Sequence, residues 1–253
     1  MMTTDPENPV RTWRDGPVRI VQIDRPRVRN AVDRRTALAL GAAWDLFEQE
    51  EDARVGVLTG SNEVFSAGAD LTDLDGLAAG VEGDDGPLGF TRRFVSKPTI
   101  AAVAGWCVAG GLEMACWCDL RIADETAVFG CFERRFGVPL VDGGTQRLPR
   151  IVGLGRALDL IVTGRAVDAR EALTLGLVTE VVPSGRSLER ALKLARTIAA
   201  FPQICLRNDR WAVYEGLGRV LAEGLQIEAR RGAEVLASGE AEAGARAFRE
   251  GKR

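Results

Sequence analysis

The amino-acid sequence predicts an α/β fold with a helical C-terminal extension. Short β-branched runs in the first half are typical of strands, and amphipathic segments follow them in βα steps. From about Gly143 the chain becomes mostly helical. Its 253 residues, 46% hydrophobic and 27% charged, have the size and balance of a globular protein with a full core.

Strands are predicted from β-branched, mostly apolar runs. The first, VRIVQI, alternates from Val18 to Ile23 and ends before Arg25 and Pro26. Further predicted strands cover residues 55–59, 99–104, 119–123 and 177–182.

Helices are predicted where apolar residues recur at steps of three and four. Ala37, Leu40, Trp44 and Phe47 form one face of a helix that begins near Asp33. A short helix follows the glycine-rich run 105–111 and extends through Cys118. Further predicted helices cover residues 155–162, 168–175 and 187–200, and helical patterns continue after Pro202 to Phe248. An apolar stripe in this tail requires a partner surface, in the same chain or in a sister subunit: Leu217, Leu221, Leu225 and Leu236.

Composition excludes several classes of protein. The chain has no histidine, which excludes a Ser-His-Asp triad and a His-ligated metal site. Its five cysteines form no CxxC pair, which favours buried thiols, no metal and a cytoplasmic location. A net charge of −3 argues against nucleic-acid binding. There is no apolar run long enough to cross a membrane, and the first ten residues lack the apolar core of a secretory signal.

Three loops are rich in small residues. FSAGAD (65–70) follows a predicted strand, and GWCVAGG (105–111) precedes a helix. Such loops are either tight turns or places where a ligand approaches main-chain N–H groups. At a helix N-terminus these donors can hold a developing negative charge, which points to Ala109, Gly110 and Gly111. The third loop, VEGDDGPLG (81–89), is predicted to be exposed and mobile.

Carboxylates are the leading candidates for acid–base chemistry in a chain without histidine. Glu113 lies in the first turn of the helix after GWCVAGG, where the helix dipole alone also favours an acidic residue. Glu133 lies between aromatic residues, and apolar surroundings raise a carboxyl pKa into the range of a proton donor. The alternative for Glu133 is a surface ion pair with Arg134 or Arg135.

Several ordered motifs together resemble the crotonase (enoyl-CoA hydratase/isomerase) superfamily. They are FSAGAD (65–70), GWCVAGGLEMACWCDLRIA (105–123), the FG…E…GGTQRLPRIVG run that contains Glu133 (129–153), DRPRVRNA (24–31), LIVTGR (160–165) and ALTLGLVTEVVP (172–183). The resemblance covers most of residues 18–200.

The resemblance implies a ββα spiral core, residues 1–200, that binds acyl-CoA thioesters, and a C-terminal helical region, residues 201–253, that mediates assembly into homotrimers or hexamers. It implies that the backbone N–H groups of Ala69 and Gly110 hold the thioester oxygen, and that Glu113 and Glu133 hold a water and exchange protons with the substrate. Coenzyme A is then part of the substrate, and no separate cofactor is expected. The residues expected to contact the substrate are Arg27, Arg29, Ala67, Gly68, Asp70, Leu71, Val141 and Asp142, with the basic tail Lys252 and Arg253 near coenzyme A.

Three positions depart from the hydratase pattern. Phe132 stands where many hydratases have proline, and Val141 stands where a glycine helps to position water. Asp142 lies near the place where some isomerases and dehalogenases of the superfamily carry a working carboxylate. It is expected either to cap the helix that begins near Gly143 or to take part in chemistry.

The expected activity is hydration of a trans-2-enoyl-CoA, because both glutamates are present. The alternatives within the superfamily are an isomerase, a decarboxylase or a thioester hydrolase. A nucleotide-binding dehydrogenase is disfavoured, since the Gly153-Leu154-Gly155 run lacks the third glycine of the dinucleotide motif. The two glutamates also argue against a non-catalytic scaffold.

Overall fold

A six-stranded sheet forms the centre of the fold in the computed structural model, which describes residues 8–61 and 64–251. Its strand order is β1-β2-β3-β5-β7-β10, in which β1 and β2 are antiparallel and the others run parallel. The strands are β1 (Val10–Asp15), β2 (Val18–Ile23), β3 (Val55–Thr59), β5 (Thr99–Val103), β7 (Leu120–Asp124) and β10 (Glu180–Val182). The predicted strands are therefore confirmed, with ends that shift by a few residues.

A second sheet contains four short strands, which lie in the sequence between strands of the first sheet. It contains β4 (Val64–Ser66), β6 (Trp106–Val108), β8 (Val128–Gly130) and β9 (Val167–Asp168). Each of the pairs β3–β4, β5–β6 and β7–β8 sends one strand to each sheet before a helix follows. This repeated ββα unit confirms the predicted spiral.

The described part of the chain contains ten α-helices. They are α1 (Arg34–Gln49), α2 (Leu74–Ala78), α3 (Gly110–Trp117), α4 (Gly144–Val152), α5 (Leu154–Thr163), α6 (Ala169–Leu175), α7 (Ser187–Ala199), α8 (Gln203–Gly216), α9 (Leu221–Ala237) and α10 (Glu240–Arg249). Asp33 caps α1 by accepting a hydrogen bond from the Thr36 N–H, and Asp168 caps α6 through the Glu171 N–H. These caps explain why the helices begin where the sequence predicts.

Both faces of the large sheet are buried. Alternate residues such as Val21 and Leu58 pack into the main core beneath α1 and α3. Their neighbours Ile20 and Val57 pack against α7 on the other face. Burial on both faces explains why these strands are nearly continuous apolar runs.

The predicted exposed loop 81–89 is only partly exposed. Pro87 and Leu88 are buried, and Leu88 has no accessible surface. We name residues Gly86–Thr91 the roof segment, because it covers the cavity described below. The prediction of an exposed loop was wrong at Pro87 and Leu88, because it followed the acidic, glycine-rich composition and gave no weight to these two apolar residues.

The C-terminal helices are tied to the core through one ion pair and its neighbours. The Arg210 Nε donates to both oxygens of Asp119, at 2.9 Å each, and the Tyr214 hydroxyl donates to Asp119 Oδ1 at 2.7 Å. The predicted apolar stripe remains uncovered in the single chain: Leu217, Leu221, Leu225 and Leu236 are all exposed. Within residues 8–61 and 64–251, no helix combines the length and apolar character that crossing a bilayer requires.

Candidate active site

A cavity of about 750 Å³ opens beside the second sheet. Most of the predicted site residues line it: Arg29, Ala67, Ala69, Asp70, Leu71, Gly110, Glu113, Glu133, Val141 and Asp142. Arg27 and Gly68 do not line it. The structure therefore brings together residues that are far apart in the sequence.

Two backbone N–H groups that have no partner among the described residues meet at the cavity. A Cβ atom built on Gly110 would lie 3.4 Å from the Ala69 nitrogen, and one built on Gly68 would lie 2.6 Å from the Gly110 nitrogen. Among the described residues, neither the Ala69 N–H nor the Gly110 N–H donates a hydrogen bond. Gly110 is at the start of α3 and Ala69 lies in the loop after β4. Two converging unpaired donors, one of them at a helix N-terminus, are suited to bind an oxygen that becomes negatively charged.

Local backbone geometry creates this pair of donors. Gly68 has a φ of +90°, and Ala109 has a φ of +53°, a conformation that costs free energy in a residue with a Cβ. The Ala109 N–H is held by the Gly130 carbonyl at 2.9 Å, which fixes the turn into α3. The glycines are required here, since a Cβ on Gly68 would collide with Gly110.

Glu113 lies in the first turn of α3 and is buried, with 3% of its surface accessible. Its Oε1 accepts hydrogen bonds from the N–H groups of Asp142, at 2.9 Å, and Gly144, at 2.7 Å. Burial raises the pKa of Glu113 to about 8, and the Asp142 charge adds to the rise while the two N–H bonds oppose it. The carboxyl group is thus oriented and titrates near neutral pH.

Glu133 lies in a short 3-10 turn, Phe132–Phe136, and is also buried. Neither of its carboxyl oxygens has a hydrogen-bond partner among the described residues. Burial raises its pKa, and the proximity of its own backbone N–H and the nearby Arg134 charge oppose the rise. The carboxyl group is therefore available to a bound molecule.

The alternative of a surface ion pair for Glu133 is wrong. Arg134 donates instead to the Ile161 carbonyl at 3.2 Å, and Arg135 donates to the Gly164 carbonyl at 3.1 Å. The Arg135 guanidinium also lies 3.8 Å from the Phe132 ring centroid. Because carbonyls from α5 and the residue that follows it bind both arginines, neither neutralises Glu133.

The expected helix cap by Asp142 is also wrong. The N-cap of α4 is Gly143, which makes no side-chain cap. The Asp142 Oδ1 instead accepts a hydrogen bond from the Leu88 N–H at 3.0 Å and another from the Thr91 hydroxyl. The side chain turns toward the roof segment because the donors there are buried and need an acceptor.

The remaining predicted binding residues differ in accessibility. Arg27 and Arg29 lie exposed around a short 3-10 turn, and Arg29 has a φ of +53°. The Asp70 carboxylate is already bound by the Thr72 N–H, the Thr72 hydroxyl and Arg25. The Thr72 hydroxyl contributes most to lowering the Asp70 pKa. The predicted tail residues Lys252 and Arg253 lie outside the described residues.

Sequence reasoning identified Phe132, Phe136 and Val141 as bulky residues that shape the cavity, but it missed the other apolar walls. The cavity is also lined by Leu74, Leu77, Leu88 and Trp106. Exposed Trp106 has its ring centroid 5.8 Å from that of Phe132. The only available signal was the concentration of apolar and aromatic residues beside the glycine loops, which is equally typical of a core.

Solved structures with the same fold define the class of this protein. Enoyl-CoA hydratase EchA1 from Mycobacterium marinum has a TM-score of 0.91 and 32% identity, with 97% of each chain covered. An enoyl-CoA hydratase from Mycobacterium tuberculosis H37Rv has the same TM-score and identity over 98% of each chain. The fold is therefore that of the crotonase superfamily.

Sequence comparison then gives the family. The enoyl-CoA hydratase/isomerase family model matches residues 14–253. A protein named probable enoyl-CoA hydratase from Rhizobium meliloti (strain 1021) is 39% identical over 242 residues, which cover 92% of this chain and 91% of the relative. Enoyl-CoA hydratase EchA19 from Mycobacterium tuberculosis (strain ATCC 25618 / H37Rv) is 35% identical over 94% of this chain and 92% of its own length. The chain belongs to the enoyl-CoA hydratase/isomerase family.

Proposed function

We propose that this protein is an enoyl-CoA hydratase that adds water across the double bond of a trans-2-enoyl-CoA. The observation that carries the proposal is one cavity that holds two unpaired N–H donors and two buried glutamates, Glu113 and Glu133. Relatives of similar length that bear this name support it.

The two N–H groups of Ala69 and Gly110 bind the thioester oxygen in this proposal. Attack of water on the β-carbon moves electron density onto that oxygen, and the enolate that forms is stabilised by both donors. Oxyanion donors of this kind typically contribute about 3–4 kcal/mol each in other enzymes.

Glu113 is assigned as the base and Glu133 as the acid. The two N–H groups at Glu113 Oε1 favour its ionised form, but burial outweighs them and raises its pKa to about 8. The ionised Glu113 that takes a proton from the attacking water therefore forms as pH rises through about 8. Burial raises the Glu133 pKa, and no other described residue donates a hydrogen bond to its carboxyl oxygens. In this proposal the protonated Glu133 gives its proton to the α-carbon. The water loses one proton to Glu113, its hydroxyl bonds to the β-carbon, and the product is a 3-hydroxyacyl-CoA.

The remaining parts of the cavity bind the substrate. The apolar walls receive the acyl chain, and the segment 67–71, in which Gly68 does not line the cavity, lies along the thioester. Arg27 and Arg29 lie on the surface near the cavity, where arginines suit the phosphates of coenzyme A. The reaction assigned to these residues requires no separate cofactor or metal.

The experiment that tests the function measures the loss of enoyl-thioester absorbance when the pure protein meets short-chain and medium-chain trans-2-enoyl-CoA. Formation of 3-hydroxyacyl-CoA is the expected result. Tight binding of the same esters without any loss of absorbance would contradict hydration and leave acyl-CoA binding intact.

Isomerisation, or another superfamily reaction such as decarboxylation or thioester hydrolysis, is the second candidate. Asp142 favours it because it places a third buried carboxylate at the cavity wall, and Val141 adds bulk beside it. A trans-3-enoyl-CoA offered to the protein distinguishes isomerisation from the other activities, since only an isomerase converts it to the conjugated ester.

The proposed assembly is a homotrimer or hexamer formed through the C-terminal helices, residues 201–253. The uncovered leucines of α9 and the segment before it support this, because they require an apolar partner. The proposed location is the cytoplasm, and the unpaired thiols of all five cysteines are consistent with a reducing compartment. Sedimentation velocity would show a monomer if the assembly were wrong.

A further inference from the structure

The structure assigns to Asp142 the role of a positioning residue that joins the roof segment to Glu113. This inference rests on the proposed hydratase function and deepens it. Asp142 binds both parts of the site at once. Its main-chain N–H donates to the Glu113 carboxyl group, and its carboxylate accepts hydrogen bonds from the Leu88 N–H and the Thr91 hydroxyl.

The roof segment needs such a connection because it covers an oxyanion donor. The Leu88 Cδ1 lies 2.9 Å from where a Cβ on Gly110 would lie, so the Leu88 side chain rests directly on the start of α3. Since Leu88 is fully buried, a loss of its N–H bond to Asp142 leaves an unsatisfied donor above the site.

The space around the Asp142 carboxylate is shaped to receive it. A Cβ on Gly86, which has a φ of +75°, would lie 2.6 Å from the Thr91 Oγ1 and 2.9 Å from Asp142 Oδ1. Only a residue without a side chain therefore fits beside this pair. The backbone of the roof segment at Gly86 and the Asp142 side chain therefore fit each other.

Arg147 strengthens the same junction from α4. One of its nitrogens donates to the Asp142 carbonyl at 3.0 Å, and another donates to the Thr91 carbonyl at 2.5 Å. The roof segment and the turn before α4 thus move as one unit. A displacement of the roof segment is transmitted to the N–H groups that orient Glu113.

Asp142 also changes the electrostatics at Glu113. The titratable and charged groups that act on Glu113 lie on every neighbouring element: Asp142 before α4, Arg147 in α4, Cys131 and Glu133 at the 3-10 turn, and Cys116 on α3 itself. The Asp142 charge disfavours ionisation of Glu113, which is the form that acts as base. Removal of this charge alone therefore favours the active form at lower pH.

The test compares Asp142→Asn, which keeps a carbonyl acceptor but removes the charge, with Asp142→Ala, which removes both side-chain bonds. Asp124 offers a matched control. It is equally buried and its carboxylate accepts bonds from the Thr126 N–H at 2.9 Å, the Thr126 hydroxyl and the Gly185 N–H at 2.8 Å, but it does not line the cavity.

Two results are expected. In Asp142→Ala the Leu88 amide exchanges hydrogen about 10-fold faster and KM rises, whereas Asp124→Ala leaves both unchanged. In Asp142→Asn the rising limb of kcat/KM against pH moves to lower pH by about one unit, whereas in Asp124→Asn it does not move. Thr91→Val, which removes one donor only, reproduces part of the exchange effect if Asp142→Ala fails to fold.

The inference is overturned if the exchange and the pH profile of the Asp142 variants match those of the Asp124 variants. It is also overturned if Asp142→Asn abolishes turnover at every pH with KM unchanged, because Asp142 would then act on the reacting atoms itself. Should the wild-type protein lack hydratase activity, only the function fails, since amide exchange still tests the connection.

Discussion

Two carboxyl groups share one cavity but have different hydrogen-bond partners. Glu113 is bound by two backbone N–H groups, and Glu133 has none among the described residues. In the proposed mechanism this difference in environment assigns one glutamate as the base and the other as the acid, although both side chains are chemically alike.

We expect Glu113→Gln and Glu133→Gln each to lower kcat by about 10²–10⁴-fold, because each removes one proton-transfer group. Binding of the CoA ester should be retained, since glutamine has nearly the same shape. Steady-state kinetics with a short enoyl-CoA, together with calorimetric measurement of ester binding, check this. Full hydration activity in either variant would show that its glutamate has no role in proton transfer.

The raised pKa of Glu113 also affects stability. Its value of about 8 in the folded protein lies above the ordinary 4.5, so protonation favours the folded state. This contribution is complete below the unfolded value of 4.5 and is lost as pH rises through about 8. The wild-type protein therefore loses stability in this window.

Glu113→Gln should remove this loss, because glutamine does not ionise and its carbonyl accepts the same two N–H bonds. The free energy of unfolding of the variant minus that of the wild type should increase by about 2–4 kcal/mol when the pH is raised from about 5 to about 9. Denaturant unfolding at both pH values measures this. Glu125→Gln, at an exposed position, should leave the pH dependence as it is, and equal behaviour of the two variants would contradict the prediction.

At the scale of elements, the start of α4 is the support for Glu113. Gly143 begins the helix without a side-chain cap, and the Gly144 N–H points at the carboxyl group. A Cβ on Gly144 would lie 2.9 Å from the Glu113 Cγ. The close approach of α3 and α4 thus depends on this glycine.

Gly144→Ala should lower kcat by at least about 10-fold, because it displaces Glu113 from its position against α4. Gly155→Ala in α5 is the matched control, since a Cβ there meets no atom within 4 Å. Alanine should stabilise α5 slightly and leave turnover unchanged. Kinetics and thermal unfolding of both variants test this, and equal turnover in the two would show that the contact between α3 and α4 is unimportant.

At the scale of the whole molecule, the C-terminal helices are fixed to the core through Asp119. Besides Arg210 and Tyr214, this carboxylate accepts a hydrogen bond from the Thr99 N–H at 2.7 Å. Arg210 also lies over the rings of Phe94 and Tyr214, at 4.5 and 4.9 Å from their centroids. One residue thus combines ionic and aromatic contacts across the junction.

Arg210→Gln should lower the free energy of unfolding by about 1–3 kcal/mol, because Asp119 then loses its charged partner. Arg230→Gln, which breaks an exposed pair with Glu215, should change it by less than about 1 kcal/mol. Denaturant unfolding and sedimentation of both variants measure stability and assembly. A loss no greater in Arg210→Gln than in Arg230→Gln would show that other contacts hold the C-terminal helices.

The sequence alone predicts five of the six strands of the large sheet, most of the helices and the glycine turns, because each depends on local periodicity or on a local backbone conformation. It did not predict β1 or α2. Its ordered motifs also indicated the family and the positions of Ala69, Gly110 and the two glutamates. Only the tertiary structure decided what these groups contact. Glu133 lacks an ion pair because distant carbonyls bind its neighbouring arginines. Asp142 binds Leu88, 54 residues away, instead of capping its own helix. Such partners depend on which donors and acceptors the fold brings close together. No local pattern in the sequence specifies these contacts between distant residues.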